Sequence, residues 1–548
     1  MALAVETAAA PQQAPRRMRA AAWWLAGGVA ALLVASVALR VWHLGNLPGV
    51  NGDEAWSGVQ AARLVQGEPI AWRTPSGNPV NVFFLLPLAA LHWLFPPSFT
   101  LLRSVAVVSG LAALAANWLL CRKAYDERTA LVSTIVLAVL PINVAYSRFA
   151  WDASQSLLAT VLVLYLPLIH YRRTERRETW PVAAMIALAA AIVVHPTNVF
   201  AAPLVVVPIA YMRRQELGQA CRRIRVAARS WSLLGLAAVA TAGAYLVWFL
   251  LNHAAGRPGP QEPLLAFMQN YVRLFSGATV YTYLAGVDAA AGADAALAWL
   301  PLACNLVLAG FLVVAVAGLA ARLHGASDWR DVCLLAGWFV MLAGFFIVAG
   351  PRAIAPHFER YGICLVAPGA LVLARGIAYW VEAKRARWRV AAAVLLVAAW
   401  LFPVTFYLGY FAFIEGTGGC SHRAFRTAAV EPKQAAYEHV LQQRSGPARI
   451  VADDWWTYWP LAYLASMTDD VRVVCREPLP GVATETDQPP PGEDLETWYV
   501  TFAPTAGGGE AAAKLENRPV DVPRAVIDDY AGRPLLRVDG PEKSGGLP

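Results

Sequence analysis

Stretches of about 20 consecutive apolar residues recur along the chain, each long enough to cross a bilayer. In the 548-residue sequence 58% of residues are hydrophobic and only 15% are charged, against the roughly 25% expected of a soluble protein. The chain therefore reads as a polytopic membrane protein built mainly of helices. The pattern places spans at 21–43, 100–121, 127–146, 153–171, 180–195, 197–212, 231–252, 295–321, 331–350, 360–381 and 388–410, about eleven in all. Residues 79–95 are apolar too. Counting them as a full span inverts every later loop, so they read as an interfacial helix or a re-entrant segment.

Charge then orients the bundle. With residues 1–20 as a cytoplasmic tail, the loops on that side hold 22 of the 45 Lys and Arg residues, including Arg122, Arg128, Arg172 and Arg223. Positive charge collects on the cytoplasmic side, which fixes the N-terminus there. An odd number of spans sends the C-terminus outward, as suits a bacterial plasma (inner) membrane. The pI of about 9.2 does not point to nucleic acid, because the charge is divided. Residues 1–410 carry 32 cations and 17 anions, whereas residues 411–548 carry 13 and 20. The sequence thus divides into a membrane domain, 21–410, with an outer loop at 44–99, and a soluble extracytoplasmic α/β domain, 411–548. In that tail Ala448–Ala452, Val471–Val474 and Trp498–Phe502 read as strands and Trp455–Ser466 as a helix. Its two cysteines, Cys420 and Cys475, suit one disulfide or two free thiols equally. No cleavable signal sequence is expected, since residues 21–43 are too long for its apolar core. No Gly-rich phosphate loop follows a strand, which disfavours a nucleotide-driven pump.

This topology gathers polar segments on the outer face. Asn51-Gly52-Asp53-Glu54 opens an amphipathic stretch, Glu54–Val65, and Arg148-Phe149-Ala150-Trp151-Asp152 enters a later span. His195-Pro196 joins two spans, and Pro351–Tyr361 carries Arg352, His357, Glu359 and Arg360. Each has a structural reading as well. Asp and Glu favour the first turn of a helix, Asp152 caps another, His195-Pro196 makes a tight turn, and the arginines suit an interfacial belt. Read chemically, the same groups offer carboxylates at helix mouths and cations able to hold phosphate oxygens. No Cys/His spacing matches a zinc cage.

The order of these segments resembles the GT-C glycosyltransferases, in particular the branch of protein O-mannosyltransferases and aminoarabinose transferases. The residues that carry the resemblance are the Asp53-Glu54 loop after the first span, Pro79, Leu102-Arg103-Ser104, Arg148 with Asp152, and Arg360-Tyr361. It covers roughly residues 20–375. It implies an integral membrane enzyme using a polyprenyl-phosphate sugar donor and a lipid, glycan or protein acceptor. It implies Asp53 as general base, with Glu54 beside it and Asp152 orienting acceptor, base or a bound divalent cation. Asp53 and Asp152 are then the candidate metal ligands, and no other cofactor is implied. Arg148 and His195 are candidate substrate contacts. One departure stands out: many relatives carry Lys or His before the Pro that opens the post-loop segment, and here that residue is Asn78. The donor phosphate then falls to Arg73, Arg352, His357 or Arg360.

A single base on the acceptor and direct attack at the anomeric carbon give inversion of configuration. The expectation is therefore inverting transfer of one sugar at the outer face. Two alternatives share the architecture: a flippase for lipid-linked sugars, and a ligase of a whole lipid-linked glycan. Transporters place ionisable groups near the bilayer midplane, whereas these spans are almost free of them. The early Asp-Glu loop favours single-sugar transfer over the ligase.

Overall fold

The computed structural model describes residues 16–75, 77–170, 180–212, 263–287, 295–325, 328–349, 356–383, 388–484, 495–504 and 524–541. The first span is α1 (Arg16–Val41). A loop leads to α2 (Gly52–Gln66) and α3 (Val82–His92), followed by α4 (Phe99–Ala124). At about 16 Å, α3 is too short to cross a hydrocarbon core of about 30 Å.

The expected span 127–146 is two helices, α5 (Glu127–Val139) and α6 (Pro141–Tyr146). Pro141 lacks the N–H that would continue the ladder, and it holds Leu140 extended at φ −60°, ψ 122°. Further along lie α7 (Ser156–His170), α8 (Trp180–Val194), α9 (Pro203–Met212) and α10 (Pro263–Ser276). Then come α11 (Ala295–Gly325), α12 (Trp329–Ala349), α13 (Val366–Ala383) and α14 (Trp388–Phe406). Tight turns, Asp152–Gln155, Pro196–Ala201 and Pro356–Leu365, precede α7, α9 and α13. The expected span 231–252 lies outside the described residues. Among those described, five helical stretches are long and apolar enough to cross a membrane, accompanied by shorter apolar helices. In the bundle α11 packs on α13, α4 on α5 and α7, and α7 on α8.

The C-terminal unit is a five-stranded sheet, β1 (Ala448–Ala452), β2 (Val471–Cys475), β3 (Glu496–Phe502), β4 (Arg524–Asp528) and β5 (Pro534–Asp539), in the order β2-β1-β3-β5-β4. The first three strands are parallel, and β4 and β5 add an antiparallel hairpin that the pattern of alternation did not announce. Two helices, α15 (Pro432–Gln443) and α16 (Trp455–Ala465), complete it. Cys420 and Cys475 are both free thiols.

This unit is fastened to the loop between α1 and α2. Thr427 donates its hydroxyl to the Asn46 carbonyl at 2.7 Å, and Asn46 Nδ2 donates to the Ala428 carbonyl at 2.9 Å. Gly49 N–H donates to the Phe425 carbonyl at 3.0 Å, and Val50 N–H donates to the buried Glu431 carboxylate at 3.1 Å. Lys433 pairs with that carboxylate at 2.6 Å. Beside this seam α16 lies along α2. Glycine at 58 makes the approach close: a Cβ there would stand 2.4 Å from the Tyr463 ring. The ring has no room to yield, because its hydroxyl donates to the Ser98 carbonyl at 3.2 Å and it stacks on Phe99. Gly58→Val therefore overpacks the junction and is expected to lower stability by about 1–3 kcal/mol. Thermal unfolding of the detergent-solubilised variant measures this, and an unchanged melting temperature would refute the tight junction.

Candidate functional site

Asn51 accepts a hydrogen bond from Glu54 N–H at 3.0 Å while the Glu54 side chain accepts from Asn51 N–H at 3.4 Å, a capping box that starts α2. The two acidic residues then diverge, since neighbours on a helix point about 100° apart. Asp53 is exposed and Glu54 is completely buried.

Glu54 faces Arg103 of α4. Arg103 Nε donates to Glu54 Oε2 at 2.8 Å and Nη2 to Oε1 at 2.7 Å, a two-pronged pair with both side chains fully buried. Oε2 also accepts from Ala150 N–H at 2.9 Å. The remaining Arg103 donors reach the carbonyls of Leu44 at 3.1 Å and Pro48 at 2.9 Å. Both Glu54 oxygens, expected from the sequence to take part in the chemistry, are engaged in fixing the loop. Arg148 is fully buried, donates to the carbonyls of Leu39 at 2.8 Å and Leu47 at 2.9 Å, and lies over the Phe411 ring at 4.7 Å. It staples the end of α1 to the loop.

Asp53 opens instead on a cleft. Trp56 and Ser57, three and four residues on, share its helix face and line the same cleft. The facing wall is formed by Asn81 and Phe84 at the start of α3 and by Thr74, Pro75 and Asn78 of a short hairpin. That hairpin is held by an Arg73–Pro79 bridge, by Arg73 Nη1 donating to the Gly77 carbonyl at 2.9 Å, and by Ala71 N–H donating to Gln60 of α2 at 2.8 Å. Arg73 is exposed and absent from the lining, so its guanidinium serves the hairpin.

Trp151, His195 and Tyr361 close the cleft from the bundle side. His195 is buried. Its Nδ1 accepts from Thr197 N–H at 3.3 Å and lies 2.6 Å from the Thr197 hydroxyl, which leaves Nε2 as the protonated nitrogen of the neutral ring. The His195 and Tyr361 rings lie 5.7 Å apart. Of the sequence candidates, the structure thus brings Asp53 and His195 to one cleft. Asp152 begins the turn after Trp151, and His357 and Arg360 lie in the turn that delivers Tyr361; their side chains, and Arg352 as a whole, lie outside the described residues. Among the described residues no three His, Cys, Asp or Glu side chains gather as a metal site.

No family model and no curated protein matches the sequence. Solved structures do. ArnT from Cupriavidus metallidurans in the apo state superposes with a TM-score of 0.52 at 13% identity, over 95% of this chain and 98% of that one. The same protein bound to undecaprenyl phosphate gives 0.52 over 94% and 98%. The chain has the GT-C fold. A structure of the Archaeoglobus fulgidus oligosaccharyltransferase tethered to an acceptor peptide also matches, with a TM-score of 0.48 at 14% identity, over 82% of this chain and 63% of that one. Within the GT-C fold described above, the loop after the first span is pinned by Glu54 and turns Asp53 toward the cleft.

Glu54→Gln leaves the Arg103 charge buried without its counter-ion. The expected cost is about 3–5 kcal/mol of stability, seen as a lower melting temperature and lower yield of folded protein. A variant that folds as wild type but loses activity would show instead that Glu54 takes part in the chemistry.

Proposed function

We propose that the protein is a glycosyltransferase that moves a single sugar from a polyprenyl-phosphate donor to an acceptor hydroxyl, with inversion, at the outer face of a bacterial plasma membrane. The observation that carries this is Asp53: an exposed carboxylate on the first turn of a rigidly clamped helix, facing a cleft beside the apolar bundle. The GT-C fold supports it, since a protein of the same fold has been crystallised with undecaprenyl phosphate.

In this reading Asp53 accepts the proton of the acceptor hydroxyl as its oxygen attacks the anomeric carbon. The bond from that carbon to the phosphate oxygen breaks, and the electron pair leaves with polyprenyl phosphate. His195, in the wall of the cleft, is placed to hydrogen-bond a substrate oxygen. Arg352, His357 and Arg360 are the proposed phosphate holders, in the segment that leads to the cleft residue Tyr361. Asp152, next to the cleft residue Trp151, orients the acceptor or shares a divalent cation with Asp53. The aromatic rings of Trp56 and Trp151 give the sugar apolar faces to lie against. The C-terminal domain, bound to α2, belongs on the same outer side.

A flippase needs a polar path through the bundle. The buried ionic groups described here are engaged instead in clasps such as Glu54–Arg103 and Asp331–Arg375, the latter at 2.7 Å.

Asp53→Asn is expected to fold normally and to lose about 10²–10⁴-fold in turnover. The assay is release of polyprenyl phosphate from a panel of lipid-linked sugars by purified enzyme with envelope extract as acceptor. Full turnover by the variant would remove Asp53 as base. Movement of labelled lipid across liposomes by both proteins, with no donor cleaved, would replace the transferase by the flippase.

A further inference from the structure

A second cavity lies well away from the Asp53 cleft. It has a volume of about 580 Å³ and is lined throughout by apolar side chains of α1, α5, α11, α13 and α14. Its depth can be read from α1. Trp23 and Trp24 are exposed near one end of that helix and Trp42 just past the other, as in the aromatic belts of a membrane protein. They lie 18 or 19 residues apart, about 28 Å along the axis, close to the thickness of the hydrocarbon core. The groove residues of α1 are Ala26, Val29, Ala30 and Leu33, one helical stripe. They begin within a turn of Trp23 and end near mid-depth. The groove therefore occupies the leaflet on the N-terminal side of the membrane, whereas the loop carrying Asp53 follows the opposite end of α1.

That depth puts the groove at the end of α1 opposite the loop carrying Asp53. It fits an acyl chain of a phospholipid in the nearer leaflet. The head-group level is also marked. On α5 the groove residues Leu131 and Ile135 continue downward to Arg128, three and seven residues earlier on the same stripe, and Arg128 is exposed. Arg122 and Lys123, at the end of the adjoining α4, are exposed as well. Against these three cations stands one exposed carboxylate, Glu127, since Asp126 is engaged by Arg375 at 3.4 Å. Exposed cations at the interface attract anionic lipids by about 1 kcal/mol each.

We propose that this groove is a binding site for an anionic phospholipid, with one acyl chain between α1, α5 and α14 and the phosphate at Arg128. The lipid fills a space that would otherwise strip its five helices of dispersion contacts. It also braces α1, the helix that leads into the catalytic loop, from the far side of the membrane. The site is independent of the transferase assignment, because it is read from lipid binding alone.

The test uses full-length protein, wild type and two variants. Arg128→Glu reverses the exposed charge and leaves the packing untouched; Ala30→Trp fills the groove from α1. Phospholipid that co-purifies after extensive detergent washing is quantified by mass spectrometry. Melting temperatures are then compared in nanodiscs of phosphatidylglycerol and of phosphatidylcholine. Wild type is expected to retain anionic lipid and to melt higher in phosphatidylglycerol. Arg128→Glu, which removes one attractive charge and adds a repulsive one, should retain at least about fivefold less and lose the difference in melting between the two lipids. Ala30→Trp, where it folds, should retain none. Equal retention and equal melting in both lipids, or retention unchanged by Arg128→Glu, would overturn the proposal. So would disulfide formation between Val29→Cys and cysteines scanned through residues 231–252, since the chain itself would then fill the groove.

Discussion

The cleft depends on one buried ion pair. Glu54 and Arg103 are each wholly removed from water and joined by two short hydrogen bonds. Such a pair adds little net stability over an apolar contact of the same shape, because desolvation offsets most of the attraction. What it gives is a unique arrangement. Arg103 spends its other donors on the carbonyls of Leu44 and Pro48, and Glu54 accepts from Ala150 N–H. Backbone groups from the α1–α2 loop and from the segment before α7 are thereby satisfied at one point, where an irregular loop would otherwise leave them unpaired. With the loop so fixed, the capping box sets the phase of α2, and the phase of α2 sets which acidic residue meets the cleft.

The C-terminal domain extends the same principle. It grips the α1–α2 loop through Asn46, Gly49 and Val50, and grips α2 through α16. Glycines at 52 and 58 allow the approach, with a Cβ at Gly52 falling 2.4 Å from the Trp455 ring. A domain attached only by a linker would leave the α1–α2 loop free to fray. Here α2 packs against α3 and α4 on one side and α16 on another, and at its N-terminal turn Asp53 stands exposed at the cleft that Trp56 and Ser57 also line.

Much of this was legible in the residues. Long apolar runs announced the bundle, and the tail's strands β1 to β3 and helix α16 showed in their alternation and length. What the residues did not disclose was where the charges find their partners. Glu54 and Arg148 looked functional because charged groups beside a membrane span are costly, and the sequence does not say that the cost is met by partners 49 residues away or by backbone carbonyls near residues 39 and 47. The pairing of Arg103 with Glu54 is a tertiary fact with no local signature. The cleft aromatics were closer to hand: Trp56 follows Asp53 at helical spacing, which placed it on the same face. Tyr361 was quoted only as part of a motif, and its approach to His195 depends on how two distant turns meet. The split at Pro141 was also readable, because proline inside an apolar run ends a helix as often as a membrane span tolerates it.

Two of the buried ionic clasps sit at the two ends of one strut. Helix α4 spans about 39 Å, a full membrane crossing. Near one end Arg103 holds the α1–α2 loop. Just past the other, the α4–α5 corner presents Asp126 to Arg375 of α13, which also holds Asp331 of α12 at 2.7 Å. Between them α4 buries small and apolar residues such as Ala106, Gly110 and Ala113 against its neighbours. Ionic clasps at both ends fix the order and height of the helices, while the apolar middle leaves lateral contact to packing. Of the Asp-Glu pair, Glu54 is held in one of these clasps, whereas Asp53 stands exposed at the cleft, one position further round the first turn of α2.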